Sequence, residues 1–315
     1  MATRRNRRVM GAARLLDFSS LPGWAEDNHA AALAAYSVTA DLVGADWPAP
    51  ASGDARAFFE ASFTPVEIGT PPGLLTGYYE PEIPGRTDRG EGFDHPLYAA
   101  PADLPADRPW FSREEIEAGD LLAGRELVWL ADPVEAFLAQ VQGSVRVRLA
   151  DGSVRRFGFA AKNGHPYRSI GQELTRRGEG GPAGITADGI RAWCRAHPDE
   201  TPALLRHNPS FVFFRDLGLP PDSGPIGTMG RPVTALRSLA VDPDHIPLGA
   251  PVWVEGGGIA ALMVAQDTGS AIRGAQRGDI FCGTGAEAGL WAGDMRISGR
   301  LVTLLPSGMA RRIAR

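Results

Sequence analysis

Val264-Ala-Gln-Asp-Thr-Gly-Ser-Ala-Ile-Arg-Gly-Ala-Gln-Arg-Gly-Asp-Ile-Phe-Cys-Gly-Thr-Gly285 is the stretch on which the reading of this chain turns. Two acids, Asp267 and Asp279, stand twelve positions apart. Glycines at 269, 274, 278, 283 and 285 let the backbone turn sharply or approach a ligand closely. Apolar runs from Ile259 to Val264 and at Ile280-Phe281 flank the turns, so the acids are expected where strands meet loops. That layout suits carboxylates held rigidly in a cleft.

Working outward, the last hundred residues read as strand-rich. Val233 to Val241, Pro251 to Glu255, Ile259 to Ala265 and Arg300 to Leu305 are short β-type runs split by Gly and Pro. A further run, Leu74 to Glu80, follows the break at Pro71-Pro72-Gly73, and a loop is expected from there to Asp94. The two strand-rich parts can form one barrel with the middle of the chain inserted. Upstream, a helix is expected over Asn28 to Val43, and a second from a Ser52 cap to about Phe63. In the middle, Asp132-Pro133-Val134-Glu135 is a helix start, with a capping acid, Pro at the first helical position and Glu two residues after it. Val145 to Leu149 and Val154 to Phe159 alternate across Asp151-Gly152, a hairpin signal. Short helices are expected at Ser169 to Arg177, Thr186 to Ala196 and Glu200 to Arg206.

Composition bounds the function. The 315 residues can bury a large core, and the 43% hydrophobic and 22% charged fractions are those of a soluble globular protein. A net charge of -5 argues against a general nucleic-acid binder, which needs basic surface to meet phosphates. No apolar run approaches the roughly 20 residues of a membrane span. The basic start, Met1 to Arg8, is followed only by a short stretch from Val9 to Leu16, broken by Gly11 and Arg14, which makes a poor export segment. No cysteine near the start offers a lipid attachment point. This basic start and the basic tail (Arg311, Arg312, Arg315) are expected to be frayed ends. Cys194 and Cys282 can pair only if the fold brings them together, and otherwise read as two buried thiols. No Cys/His cluster has ligand spacing, so no metal is expected.

Lys162 is the only lysine in a chain where Lys plus Arg totals 32. It marks either a leftover surface position or a place where a compact ammonium is wanted.

Asp267-Thr268-Gly269 is the tripeptide of aspartic proteases, but such enzymes need two acids of this kind sharing a proton, and here it occurs once. Two nearby carboxylates can instead cleave glycosides. A third acid, Asp242, opens another Pro/Gly-punctuated segment; as a plain structural residue it would make an Asx turn ahead of Pro243. Tyr78, Tyr79, Tyr167 and the run Phe211 to Phe214 lie in segments that also carry Thr76, Asn163, Ser169, Asn208 and Ser210. Aromatic faces with adjacent donors suit sugar rings. Phe211 and Phe214 read as core; Tyr78 and Tyr79 read as ligand-facing.

Four motifs then converge. Leu75-Thr-Gly-Tyr-Tyr-Glu-Pro81, Lys162-Asn-Gly-His-Pro-Tyr-Arg-Ser-Ile-Gly171, Asn208-Pro-Ser-Phe-Val-Phe-Phe214 and Ala265-Gln-Asp-Thr-Gly-Ser-Ala-Ile-Arg-Gly274 resemble the membrane-bound lytic murein transglycosylase A family. So does the run from Gly224-Pro-Ile-Gly-Thr through Ile246-Pro-Leu-Gly249. The C-terminal part is similar to the domain named for its three aspartates, which fall on Asp242, Asp267 and Asp279. Arg273 stands where lysine is common, and Cys282 where a larger residue is usual.

The resemblance implies a mainly β fold with some helices: a double-psi β-barrel, a second, inserted β-rich domain, and a groove between them. The barrel is expected over residues 1–97 and 217–315, and the inserted glycan-binding domain over 98–216. The implied reaction cleaves the β-1,4 bond between N-acetylmuramic acid and N-acetylglucosamine of peptidoglycan without water, leaving 1,6-anhydromuramoyl ends. Asp279 maps onto the family's catalytic acid, and Asp267 is expected to assist it. Thr76, Gly77, Tyr78, Tyr79, Lys162, Asn163, Tyr167, Ser169, Ser210 and Asp242 are expected to contact substrate. No metal or organic cofactor is implied. Peptidoglycan strands are the implied ligand, with cell-wall synthesis proteins as partners and a monomeric state. The implied location is the periplasm, with outer-membrane association. The rival readings are a two-carboxylate muramidase that uses water and a non-catalytic, expansin-like glycan-binding module.

Overall fold

The computed structural model describes residues 13–179, 185–220 and 223–313; the basic start and Arg315 lie outside them. The fold is mainly β with some helices. Two compact units divide it, one of Met1–Tyr79, Ser223–Gly283 and Asp294–Arg315, the other of Glu80–Asp222 and Thr284–Gly293. The second unit thus starts at Glu80, ahead of the residue-97 boundary drawn from sequence.

In chain order the strands are β1 (Ala13–Leu15), β2 (Phe63–Ile68), β3 (Gly73–Glu80), β4 (Glu82–Arg86), β5 (His95–Tyr98), β6 (Glu126–Leu130) and β7 (Ser144–Arg148). They continue with β8 (Val154–Lys162), β9 (Val212–Asp216), β10 (Ser238–Val241), β11 (Pro251–Gly256), β12 (Ile259–Asp267), β13 (Arg277–Thr284) and β14 (Arg296–Pro306). The helices are α1 (His29–Thr39), α2 (Ala55–Ser62), α3 (Arg113–Ala118), α4 (Pro133–Gln142), α5 (Ile170–Arg176), α6 (Ala187–Ala196), α7 (Thr201–Arg206), α8 (Gly285–Asp294) and α9 (Ser307–Ile313).

In the first unit the sheet runs β1-β2-β14-β11-β12-β10-β13-β3, and β3 pairs back onto β14. The six strands from β14 round to β3 therefore close on themselves, which leaves no open edge within the ring. Leu75, Leu239, Val241, Val252, Met263, Ala265, Ile280 and Leu301 fill the inside. On the outside, Trp253, Leu262, Val264 and Val302 pack against Ala32, Ala35 and Tyr36 of α1 and Phe59 of α2. Alternation explains this two-sidedness, because neighbours along a strand point to opposite faces.

Local signals explain most helix starts. Asn28 caps α1 by accepting from Ala31 N, although the helix stops at Thr39 rather than at Val43. Asp54, not Ser52, caps α2, accepting from Arg56 N and Ala57 N. A carboxylate in extended backbone reaches two free amides at once, and Ser52 lies too far upstream to do so. Asp132 caps α4 with Pro at the first position, as its sequence predicts.

The second unit holds a sheet in the order β5-β6-β4-β7-β8-β9. The hairpin across Asp151-Gly152 is present as β7 and β8, with Asp151 accepting from Ser153 N at 2.9 Å. One expectation fails here and one in the barrel. The loop expected to Asp94 contains β4, whose Pro84 and Gly85 obscure a strand that pairs in parallel with β7. Phe211 and Phe214 are buried, as read from the sequence, and β9 begins at Val212 between them. In the barrel, only Ser238–Val241 of the run from Val233 is strand, because Leu236 sits at φ 56 in a turn. No helix among the described residues is long and apolar enough to cross a membrane.

Candidate active site

β10 lies between β12 and β13, and its Ala240 is paired with Asp267 on one side and Asp279 on the other. The two acids, separated in sequence, are thus brought level across one intervening strand. Two strand spacings, about 9–10 Å, separate their backbones.

A β-bulge produces this alignment. Leu239 pairs with Ala265 but Ala240 pairs with Asp267, so Gln266 is the extra residue. Met263 and Ala265 point into the barrel, and strict alternation would send Asp267 in after them. The extra residue re-aims it instead. Gln266 is buried and fixed, donating to Ala35 O at 2.8 Å and Thr39 Oγ1 at 3.0 Å and accepting from Ser238 Oγ.

Both oxygens of Asp267 are engaged. Its Oδ2 accepts from Tyr78 Oη at 2.8 Å. Its Oδ1 accepts from Thr228 N (2.9 Å), Thr228 Oγ1 (2.8 Å) and Thr268 N (2.9 Å). Gly227 lets that loop come close: a Cβ there would lie 2.8 Å from Gln266 O and 2.7 Å from Val233 Cγ1. The Tyr78 ring packs on Phe281, with centroids 5.2 Å apart. Burial first, and then the neighbouring Asp267, push the Tyr78 phenol well above its ordinary value, so it stays a donor.

Among the described residues, Asp279 is engaged on one oxygen only. Thr76 Oγ1 donates to its Oδ1, and Arg277 Nη2 donates to Thr76 Oγ1 at 2.8 Å. Burial raises the Asp279 pKa; the Thr76 hydrogen bond and Arg277 pull it back in part, and Asp267 pushes it further up. Cys282 nearby is a free thiol pushed up to about 11 by burial and then by Asp279.

Asp242 has different surroundings. It is 4% exposed, and its oxygens accept from Gly274 N at 2.8 Å and Asp244 N at 3.2 Å, with Arg273 Nη1 3.5 Å away. Burial raises its pKa, but the two amides, His245 and Arg273 together outweigh that, and the result lies below the usual carboxylate range. The bond to Asp244 N is the Asx turn its sequence allows; the bond to Gly274 ties down the loop before β13.

Comparison with solved proteins now decides the family. The crystal structure of a membrane-bound lytic murein transglycosylase from Agrobacterium tumefaciens matches 96% of this chain and 99% of its own, at 32% identity and a TM-score of 0.85. The chain belongs to the membrane-bound lytic murein transglycosylase A family. Within that family, the MltA specific insert domain matches residues 74–215 and the 3D domain matches residues 237–305. The Escherichia coli membrane-bound lytic murein transglycosylase A is 38% identical over 243 residues, which is 73% of this chain and 65% of that one. This chain thus spans about 65% of the length of that curated relative. The crystal structure of E. coli MltA with bound chitohexaose is similar at 34% identity and a TM-score of 0.70, covering 81% of this chain and 79% of its own.

Of the substrate-contact candidates, Thr76, Gly77, Tyr78 and Tyr79 lie together on β3 in the barrel unit of this transglycosylase-family chain, all half-buried. Lys162, Asn163, Tyr167, Ser169 and Ser210 lie in the second unit. Lys162 is exposed, and no hydrogen bond or ion pair engages its ammonium among the described residues. Tyr167 is 41% exposed. Asn163, by contrast, is 1% exposed and saturated: Nδ2 donates to Phe111 O and Pro209 O at 2.9 Å each, and Oδ1 accepts from Phe211 N at 2.9 Å. Ser169 caps α5 by accepting from Gln172 N. Ser210 is buried, and its carbonyl accepts from Arg113 Nη2 at 2.8 Å.

Sequence reading missed Thr228, Arg277 and Arg113. Thr228 reaches Asp267 from 39 residues away, and only its place in the Gly224-Pro-Ile-Gly-Thr run hinted at it. Arg113 is a buried arginine whose pKa falls to about 10, chiefly through burial; it lies over Phe137 (4.7 Å) and Phe211 (5.0 Å). Nothing in its local sequence distinguishes it from an exposed helix cation.

Proposed function

We propose that this chain is a peptidoglycan lytic transglycosylase in which Asp279 acts first as acid and then as base. The carrying observation is the contrast on either side of Ala240: a carboxyl with a raised pKa and, among the described residues, a hydrogen bond to one oxygen only, and a carboxylate that accepts on both oxygens. A raised pKa favours the protonated form of Asp279, the form that can protonate the bridging oxygen between muramic acid and glucosamine. Positive charge then builds on the muramoyl C1, and Asp267 is the negative group in place to favour it. The ionised Asp279 next accepts the proton of the same sugar's C6 hydroxyl as that oxygen closes on C1. The attack is intramolecular, so ordering the ring supplies much of the rate.

Substrate contacts are assigned to Tyr78 in the barrel unit and to Lys162 and Tyr167 in the second unit. Asn163, Ser169 and Ser210 are assigned to shaping the second unit, since their hydrogen bonds serve its own backbone. Asp242 is assigned to holding the loop before β13. We assign the reaction to the periplasm, from the family's membrane-bound members.

The water-using muramidase is the weaker reading. It needs a second carboxylate free to activate water, and four hydrogen bonds already occupy Asp267. The test is mass spectrometry of the fragments released from purified sacculi. Anhydromuramoyl ends that lack the mass of one water, lost in Asp279→Asn, are expected. Products carrying that water, or an active Asp279→Asn, would overturn the proposal.

A further inference from the structure

We infer that Arg277 is a positioning residue that acts through Thr76 to fix which oxygen of Asp279 carries the reactive proton. This rests on the acid–base reading above. A threonine hydroxyl has a single hydrogen and can both donate and accept. Arg277 Nη2 donates to Thr76 Oγ1 at 2.8 Å, so the hydroxyl hydrogen is committed to Asp279 Oδ1. An oxygen that receives a hydrogen bond in this way is the unprotonated one. The proton of the neutral acid is therefore held on Oδ2, which accepts no hydrogen bond among the described residues.

The guanidinium is itself fixed from two strands. Arg277 Nη1 donates to Leu74 O at 3.3 Å and to Gly278 O. Residues 277 and 279 share a face of β13, as Thr76 and Tyr78 share a face of β3, because alternation has a period of two. The same link favours the second half of the reaction, since a donor locked onto Oδ1 holds the ionised carboxylate in place as it accepts a proton on Oδ2.

The charged and titratable groups around Asp279 are few. Tyr78 stands on β3, Asp267 on β12, Arg277 and Cys282 on β13, and Arg296 on β14 bears on Arg277. Arg277 is the cation among those that act on Asp279, and burial lowers its own pKa. Removing it should let the Asp279 titration rise.

The experiment is a carbon-13 NMR titration of the Asp279 carboxyl, without substrate, in wild type, Arg277→Gln, Thr76→Val and the double variant, each checked for folding by near-ultraviolet circular dichroism. The Asp279 midpoint should move up by about one pH unit in each single variant, as loss of a nearby opposite charge or donor predicts. The double variant should move by clearly less than the sum of the two singles, because Arg277 acts in part through the Thr76 hydrogen bond as well as by its charge. Arg277→Lys, which keeps the charge, should restore most of the shift. An unmoved midpoint in Arg277→Gln, or additive shifts in the double variant, would overturn the inference. Activity of Asp279→Asn on sacculi is read separately, so a failed acid–base reading is told apart from a failed link.

Discussion

Asp279 and Asp242 belong to one barrel and differ in what surrounds them. The Asp242 oxygens accept two backbone amides and face Arg273, and its pKa falls. Asp279 is held by one hydroxyl, burial dominates, and its pKa rises. Burial alone does not raise a carboxyl's pKa; burial with few donors to offset it does. The second unit repeats the lesson, since Asn163 commits its amide to its own backbone while Lys162 stands exposed.

The largest effect expected is on rate. Asp279→Asn should lower kcat by about 10²–10⁴-fold, the range for a general acid–base group. Asp242→Ala, compared at equal folded fraction, should lose far less. Similar losses in both would break the contrast between the two acids.

Stability should sort the other way. Asn163→Ala leaves the amide of buried Phe211 and two part-buried carbonyls without their partner, and a buried unpaired group costs about 1–3 kcal/mol, so urea unfolding should register a loss of about 3 kcal/mol. A variant as stable as wild type would mean that water replaces the amide.

The pH dependence of stability should have opposite signs at the two acids. Asp242 has a folded pKa below its unfolded value, so its contribution is present above the unfolded value and fades as pH falls through the folded one. Asp242→Ala should therefore cost about 1–3 kcal/mol near neutral pH and less in acid. Asp279 has a folded pKa above its unfolded value; its contribution is present below the unfolded value and is lost as pH rises through the folded one. Asp279→Asn should accordingly stabilise the protein near neutral pH, and the gain should vanish in acid. Thermal melts across pH would check both signs.

The smallest effect on folding should come from Lys162. Lys162→Ala should change stability by less than about 0.5 kcal/mol, as for a surface site, while raising KM roughly ten-fold if its ammonium binds glycan. Unchanged KM would sharpen the contrast by removing Lys162 from the site.

Much of this is legible in the amino-acid sequence. Asp132-Pro133 opens a helix and Asp151-Gly152 turns a hairpin because caps and tight turns are satisfied by residues adjacent in sequence. Motif order points to the family, and the acids Asp267 and Asp279 stand out among their glycines. Other features are hidden. β4 is masked by Pro84 and Gly85, and Thr228, Arg277 and Arg113 gain their roles only from partners distant in sequence or on another strand.

The chain by itself thus determined its local elements and its candidate acids, because propensity, capping and alternation act over a few residues. Only the tertiary structure decided which polar groups are engaged and which are left over. The bulge at Gln266 turns Asp267 out of the core and into line with Asp279 through Ala240, and that register depends on strand pairing. Whether a side chain is saturated depends on the hydrogen bonds that the folded backbone delivers to it, and those come from everywhere along the sequence.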